Sequence, residues 1–235
     1  MTTGVREDGA LAFLEHEAVL DGGAYCSFGI VTVYYAGSLL GGPYRLDNMN
    51  YDGYRVVTNK PACGAQRGHG AVIARALFEM QLDRLAEELD MDPLELRLKN
   101  VLQPGDITCN DLKIGSFGIQ DAIEGVRKAS GWSGKRSDKS RSRGIGAACG
   151  FFVSGAGKPI YPSQTPHCSV HIKLNHTGGG VIVESGSAEI GQGSDTVLAM
   201  ITAETLGIDP SSVKVASGDS DLAFDLGAYS SRQTL

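Results

Sequence analysis

The chain has 235 residues, 42% of them hydrophobic and 20% charged, a soluble globular balance with room for one large domain or two small ones. Its net charge of −6 argues against nucleic acid as the main partner. No apolar run approaches the roughly 18 residues of a membrane span, and the N-terminal MTTGVREDG lacks a signal-peptide core, so no membrane partner is expected and the expected compartment is cytoplasmic. In chain order, Ala10 to Tyr25 reads as a strand between turns at Asp8-Gly9 and Asp21-Gly22-Gly23. Ile30 to Leu40 reads as a buried helix closed by Gly41-Gly42-Pro43, and the Tyr- and Val-rich Asn48 to Thr58 as a second strand. From His69 to about Leu89, Val72, Ile73, Ala76, Leu77 and Met80 recur at helical spacing, with Glu and Arg assigned to the other face.

Asp92-Pro93-Leu94-Glu95 is a capping box with proline at the first helical position, so a helix starts there. Gln120 to Ser130 reads as a further helix with Ile123, Val126 and Ala129 on one face. Ser133 to Arg143 is basic and Ser-rich, the texture of a solvated linker. The predicted organisation is a first region over 1–134, a basic linker over 135–142 and a second region over 143–235. Strands are expected at Arg143–Phe152, His167–Asn175 and Val181–Ile190, then a helix at Ser194–Leu206 and a strand at Val213–Ser217. The fold class is α+β.

Five cysteines, Cys26, Cys63, Cys109, Cys149 and Cys168, are widely spaced. They suit free thiols in a reducing compartment and fit neither a zinc nor an iron–sulfur spacing. Gly144-Ile145-Gly146 has the wrong spacing for a dinucleotide fingerprint, and there is no GxSxG elbow. His167 and His171 have no third ligand near them in sequence and read as structural. Glu184 and Glu189 could pair as carboxylates, and Asp219, Asp221 and Asp225 could bind a cation, but a solvated loop is the commoner outcome.

Three segments suit a polar, anionic ligand. Thr58 to Gly70 carries Gln66, Arg67 and Gly68 among small residues at a helix mouth, where backbone N–H groups favour negative charge. Gly191-Gln192-Gly193 opens a second helix. Gly227 to Arg232, with Tyr229, Ser230, Ser231 and Arg232, combines hydroxyls with a guanidinium. Taken singly, each is equally an ordinary turn.

The order TNKPACGAQRGHGA, DRLAEELDMDPLELRLKN, SAEIGQGSDTVLAMITAETLGI and SGDSDLAFDLGAYSSRQT resembles the molybdenum-binding large subunit of the xanthine dehydrogenase/aldehyde oxidase family over nearly the whole chain. The resemblance implies the two-part molybdopterin-binding region of that family, incomplete here. The cofactor would be a molybdopterin dinucleotide of the cytosine or guanine type. Its dithiolene holds the metal, so the protein supplies no molybdenum ligand.

By the same resemblance, Gln66, Arg67 and Gly68 lie beside the metal centre, and Arg67 acts catalytically on negative charge developing on the substrate. Gly191, Gln192 and Gly193 reach toward the pterin and an oxo ligand. Tyr229, Ser230, Ser231 and Arg232 hold the pyranopterin or its phosphate. The implied reaction is hydroxylation by water at an electron-poor carbon, or its reverse, on a small aromatic, heterocyclic, aldehyde or aryl-CoA substrate.

Iron–sulfur and FAD groups are expected only on partner domains or subunits, giving a hetero-oligomer. Gly68 stands where carbon monoxide-oxidising members carry cysteine, and CGAQRGHGA is similar to the 4-hydroxybenzoyl-CoA reductase-like branch. The family's distal glutamate motif and its upstream glycine- and glutamine-rich motif are missing from this sequence. An internal fragment, inactive alone, is therefore expected. The alternatives are a non-catalytic truncated or assembly module without cofactor, and a binder of a simpler phosphate ligand.

Overall fold

The structure, a computed structural model, describes residues 1–25, 29–137, 142–152 and 169–223. It divides into two compact units, Met1–Phe152 and Val153–Leu235. In the first, β1 (Thr2–Val5) pairs antiparallel with β2 (Leu11–Gly23), and helix α1 (Gly29–Ser38) leads to β3 (Asn48–Val57), which lies parallel to β2. Four helices follow: α2 (Ala71–Glu88), α3 (Pro93–Asn100), α4 (Ile119–Ser130) and α5 (Trp132–Arg136). In the second unit β4 (Val170–Leu174) pairs antiparallel with β5 (Val181–Ser185), and α6 (Ser194–Leu206) leads to β6 (Val213–Ser217), parallel to β5. Both sheets thus share one plan, an antiparallel hairpin extended by a helical crossover to a parallel third strand.

The first core gathers Leu14, Leu40, Tyr44, Phe78, Leu82, Leu96 and Val101. The Asp92 cap forms as the sequence predicts: its Oδ1 accepts from the backbone N–H groups of Leu94 (2.8 Å) and Glu95 (3.4 Å). Its other oxygen accepts from the indole of Trp132 at 2.8 Å. That bond ties α5, at the start of the basic stretch, to α3.

Three local expectations are corrected. On α2 the stripe of Val72, Ile73, Leu77 and Met80 is exposed, and the face carrying Ala74, Arg75, Phe78, Glu79 and Leu82 is buried. The charged face can turn inward because Arg97 of α3 donates to Glu79 Oε2 at 2.8 Å and Tyr44 donates to its other oxygen at 2.8 Å, so the buried carboxylate is satisfied. Burial, then the Glu79 charge, pushes the Tyr44 phenol far above its ordinary range and keeps it a donor. On α4 only Ile123 of the predicted face is buried, and Val126 faces solvent.

The third correction concerns residues 143–152, which form no ladder among the described residues. They keep a pleated alternation in which Ile145, Ala147 and Cys149 pack against the core and Gly144, Gly146, Ala148 and Gly150 face out. Packing of alternate side chains on the core, and not a hydrogen-bonded ladder, places this segment. His167 and Asp225 lie outside the described residues. His171 Nδ1 stands 3.6 Å from Glu184 Oε2, and Glu184 is buried in an ion pair with Lys173. Glu184 is therefore paired with a cation and not with Glu189.

Candidate functional site

In each unit a glycine-rich loop leaves the carboxyl end of one strand of the parallel pair, where open α/β sheets receive ligands. The first loop follows β3. Its near end is fixed to β2 through Asp21, whose carboxylate accepts from Thr58 Oγ1 at 2.6 Å and from Lys60 Nζ at 2.7 Å. The Lys60 bond, with those from Thr58 and the Gly23 amide, brings the Asp21 carboxyl down to about 2. Backbone bonds from Ala24 to Lys60 O (2.9 Å) and from Cys63 to Gly22 O (3.4 Å) continue the seam.

The far end of the loop is fixed to α1. His69 Nε2 lies 2.9 Å from Thr32 Oγ1, and its ring meets Tyr35 edge-on at 5.2 Å. The chain turns through Gly68 (φ 84°) and Gly70 (φ 75°), a left-handed region that favours glycine. A Cβ on Gly70 would strike the carbonyl of Thr32.

Between these anchors, Gln66 and Arg67 are exposed. Arg67 has no hydrogen bond or ion pair among the described residues, which leaves its five donors open to a ligand. A groove of about 870 Å³ begins at Gly68 and runs along α2 past Val72, Arg75 and Met80, with residues 146–152 as its other wall. Sequence reasoning missed the Thr32–His69 anchor, because a threonine within one helix and a histidine beyond the next strand carry no shared spacing.

The second loop joins β5 to α6. Gly191 (φ 90°) and Gly193 (φ 82°) are both left-handed, and a Cβ on Gly193 would meet nothing within 4 Å. Gln192 folds back on its own loop. Its Nε2 donates to Ala188 O (3.0 Å) and Ser194 Oγ (2.9 Å), and its Oε1 accepts from the Ile190 amide (2.6 Å).

The mouth of α6 is filled from within. Glu189 Oε1 accepts from the amides of Gly191 (2.7 Å) and Gly193 (3.0 Å), while Oε2 accepts from Ser194 Oγ (3.2 Å) and the Asp195 amide (3.3 Å). These bonds, the Gly193 amide foremost, lower the Glu189 carboxyl to about 2. The sequence signal was a glutamate placed just before a Gly-x-Gly helix start. The remaining candidates, Tyr229, Ser230, Ser231 and Arg232, lie outside the described residues. The six described candidates fall three to each unit.

Two family profiles match the chain, each described as a molybdopterin cofactor-binding domain, one over residues 1–101 and the other over 125–235. The xanthine dehydrogenase molybdenum-binding subunit of Escherichia coli O157:H7 is 34% identical, and the match covers 98% of this chain and 31% of that protein. The aldehyde oxidoreductase structure from Desulfovibrio gigas is 28% identical with a TM-score of 0.72, covering 91% of this chain and 24% of that one. The crystal structure of quinoline 2-oxidoreductase from Pseudomonas putida 86, at 24% identity, shares the fold with a TM-score of 0.80 over 99% of this chain and 31% of that one. The two profile matches and the shared fold define a pair of molybdopterin cofactor-binding domains. The chain belongs to the molybdopterin-binding oxidoreductase family of xanthine dehydrogenase and aldehyde oxidoreductase, and spans 23% to 31% of the length of the curated relatives it matches.

The described residues fit such a cofactor at the first loop. Arg67 offers an exposed guanidinium beside a left-handed glycine, which suits a polar, anionic group beside the cofactor. At the second loop the fit is narrower, because Glu189 already holds the α6 amides. Among the described residues no helix is long and apolar enough to cross a membrane.

Proposed function

We propose that this chain forms the cofactor-binding part of a molybdopterin-dependent oxidoreductase, a hydroxylase, dehydrogenase or aryl-CoA reductase. The observation that supports this reading best is the exposed Arg67 on a loop pinned at both ends, by Asp21 and by His69. The anchors fix the backbone that carries Arg67, so its guanidinium is delivered to one place, where a bound substrate would orient it toward developing charge. When bound, the cofactor supplies the redox chemistry.

The protein's residues position and polarise. Arg67 holds negative charge on the substrate, Gln66 and Gly68 border the metal end, and Gly191, Gln192 and Gly193 border the pterin. Tyr229, Ser230, Ser231 and Arg232 hold its phosphate. Regions 1–134 and 143–235 are the two binding regions in sequence, with 135–142 as the linker, and the second lends residues 143–152 to the core of the first unit. Electrons leave through an iron–sulfur partner subunit and in some assemblies an FAD subunit, in a cytoplasmic hetero-oligomer. CGAQRGHGA favours an aryl-CoA or related small aromatic, heterocyclic or aldehyde substrate.

Molybdenum and released pterin, measured on the chain purified from cells that make the cofactor, test the reading. Near-stoichiometric amounts support it. No molybdenum, with thermal stabilisation by simple nucleotides, replaces it with a phosphate-binding role. In the longer cofactor-loaded protein, Arg67→Ala is expected to lower turnover roughly 10²–10³-fold, as loss of one preorganised donor does, while molybdenum content stays near wild type. Equal loss of both would move Arg67 from chemistry to cofactor retention.

A further inference from the structure

We propose that Glu189 is the positioning residue of the second loop, an internal anion that shapes Gly191-Gln192-Gly193 and closes the mouth of α6 to any external anion. The inference rests on the reading of that loop as cofactor-binding, and its geometry stands apart from it. One carboxylate takes three backbone amides and one hydroxyl, at 2.7 to 3.3 Å. The Gly193 and Asp195 amides belong to the helix entry, where orphan donors concentrate positive potential and would otherwise attract a phosphate or carboxylate from solution. No cap is supplied by the residue at the N-cap position itself, which is glycine. Glu189 does the capping from upstream.

The same clasp sets Gln192. With Gly191 and Gly193 held left-handed on either side, the Gln192 side chain turns back to Ala188, Ile190 and Ser194. Ser194 Oγ joins the two systems, since it donates to Glu189 and accepts from Gln192. A ligand seated on this loop therefore meets the carboxamide edge of Gln192 and the glycine backbone, and not the amides of α6. Phosphate recognition falls to other residues.

Amide hydrogen exchange and chemical shifts of Gly191, Gly193 and Asp195, followed in the full chain during an inorganic phosphate titration, test this. In wild type, phosphate is expected to leave those three amides unmoved. In Glu189→Ala they are expected to exchange about tenfold faster. Added phosphate or acetate then shifts them and restores protection, a chemical rescue that a generally destabilised loop would not show.

Glu189→Gln keeps the side chain's size and replaces one acceptor oxygen by a donor, so it is expected to loosen the loop without gaining full rescue. Unchanged exchange at Val181–Ser185 reports an intact sheet. Phosphate shifts at these amides in wild type would overturn the proposal, as would unchanged exchange in both variants. The wild-type titration needs no variant to fold. These measurements use cofactor-free protein, so a failure to find molybdenum would sink the proposed function and leave them standing.

Discussion

Replacing Glu79 by Gln removes the negative centre of the first unit's buried charge system while keeping its shape. Arg97 is fully buried, and its Nε lies 2.8 Å from Glu79 Oε2, a carboxylate only 4% exposed. The guanidinium also donates to Pro93 O at 3.0 Å, Glu79 O at 3.1 Å and Asp83 Oδ1 at 2.8 Å. Arg75 is buried on α2, the helix of Glu79, gives one bond to Leu39 O (2.6 Å), and is balanced electrostatically by Glu79. Without the carboxylate, Arg97 keeps the half-exposed Asp83 as its counter-charge and Arg75 loses the Glu79 charge that balances it. Breaking one partner of a buried pair costs about 3–5 kcal/mol, and the second cation puts this case toward the upper end.

For a chain of this size that is roughly 6–20 °C in Tm, at about 2–4 °C per kcal/mol. The assay is a double-mutant cycle in urea with Glu79→Gln, Arg97→Met and the double variant, followed by far-UV circular dichroism and by the fluorescence of Trp132, the chain's one tryptophan. The double variant is expected to be more stable than the sum of its parts predicts, by at least about 1 kcal/mol. A single-variant loss below about 1 kcal/mol, or strict additivity, would refute the reasoning.

Asp92→Ala should lose about 1–2 kcal/mol as a helix cap, and a further ~1–3 kcal/mol because the Trp132 indole loses its acceptor. Asp92→Asn should restore most of the capping share, and equilibrium unfolding monitored at Trp132 reads both. The Glu189 clasp should also respond to acid. Its folded carboxyl lies at about 2 against an ordinary 4.5, so its contribution is complete above the higher value and is lost as pH falls toward the lower one. Loop amides that exchange equally at pH 5 and pH 2.5, after correction for intrinsic rates, would count against it.

Local signals carried much of the fold. The Asp92-Pro93 box announced α3 because capping is a matter of neighbouring residues. The strand–helix–strand texture of β5, α6 and β6 was visible because each element is periodic over its own length. What failed was the facing of α2. Val72, Ile73, Leu77 and Met80 form the more apolar stripe, and a sequence reading buries the more apolar stripe. The structure buries Arg75 and Glu79 instead, because their partners Tyr44, Arg97 and Leu39 come from other elements, and no helical period reports a partner elsewhere in the chain. The site was legible in the same partial way. Glycines and Arg67 marked the loops, but the groups that fix them, Asp21, Thr32, His69 and Glu189, act through tertiary contacts or a side chain curling back on its loop.

The shared plan of the two sheets explains why the marked residues fall where they do. In each unit the hairpin strand that starts the crossover, β2 or β5, runs parallel to the strand that ends it, so two carboxyl ends open side by side. Loops leaving these ends present backbone and side chains outward at the edge where open α/β sheets receive ligands. The first unit uses the loop after its third strand and fixes it with side chains, an aspartate at one end and a histidine at the other. The second uses the loop before its crossover helix and fixes it with a carboxylate from within. The two solutions differ in what they leave open: the first frees a cation, the second neutralises a helix mouth. An exposed guanidinium thus remains at Arg67 while the amides at α6 are already taken by Glu189, although glycine-rich helix mouths look alike in sequence.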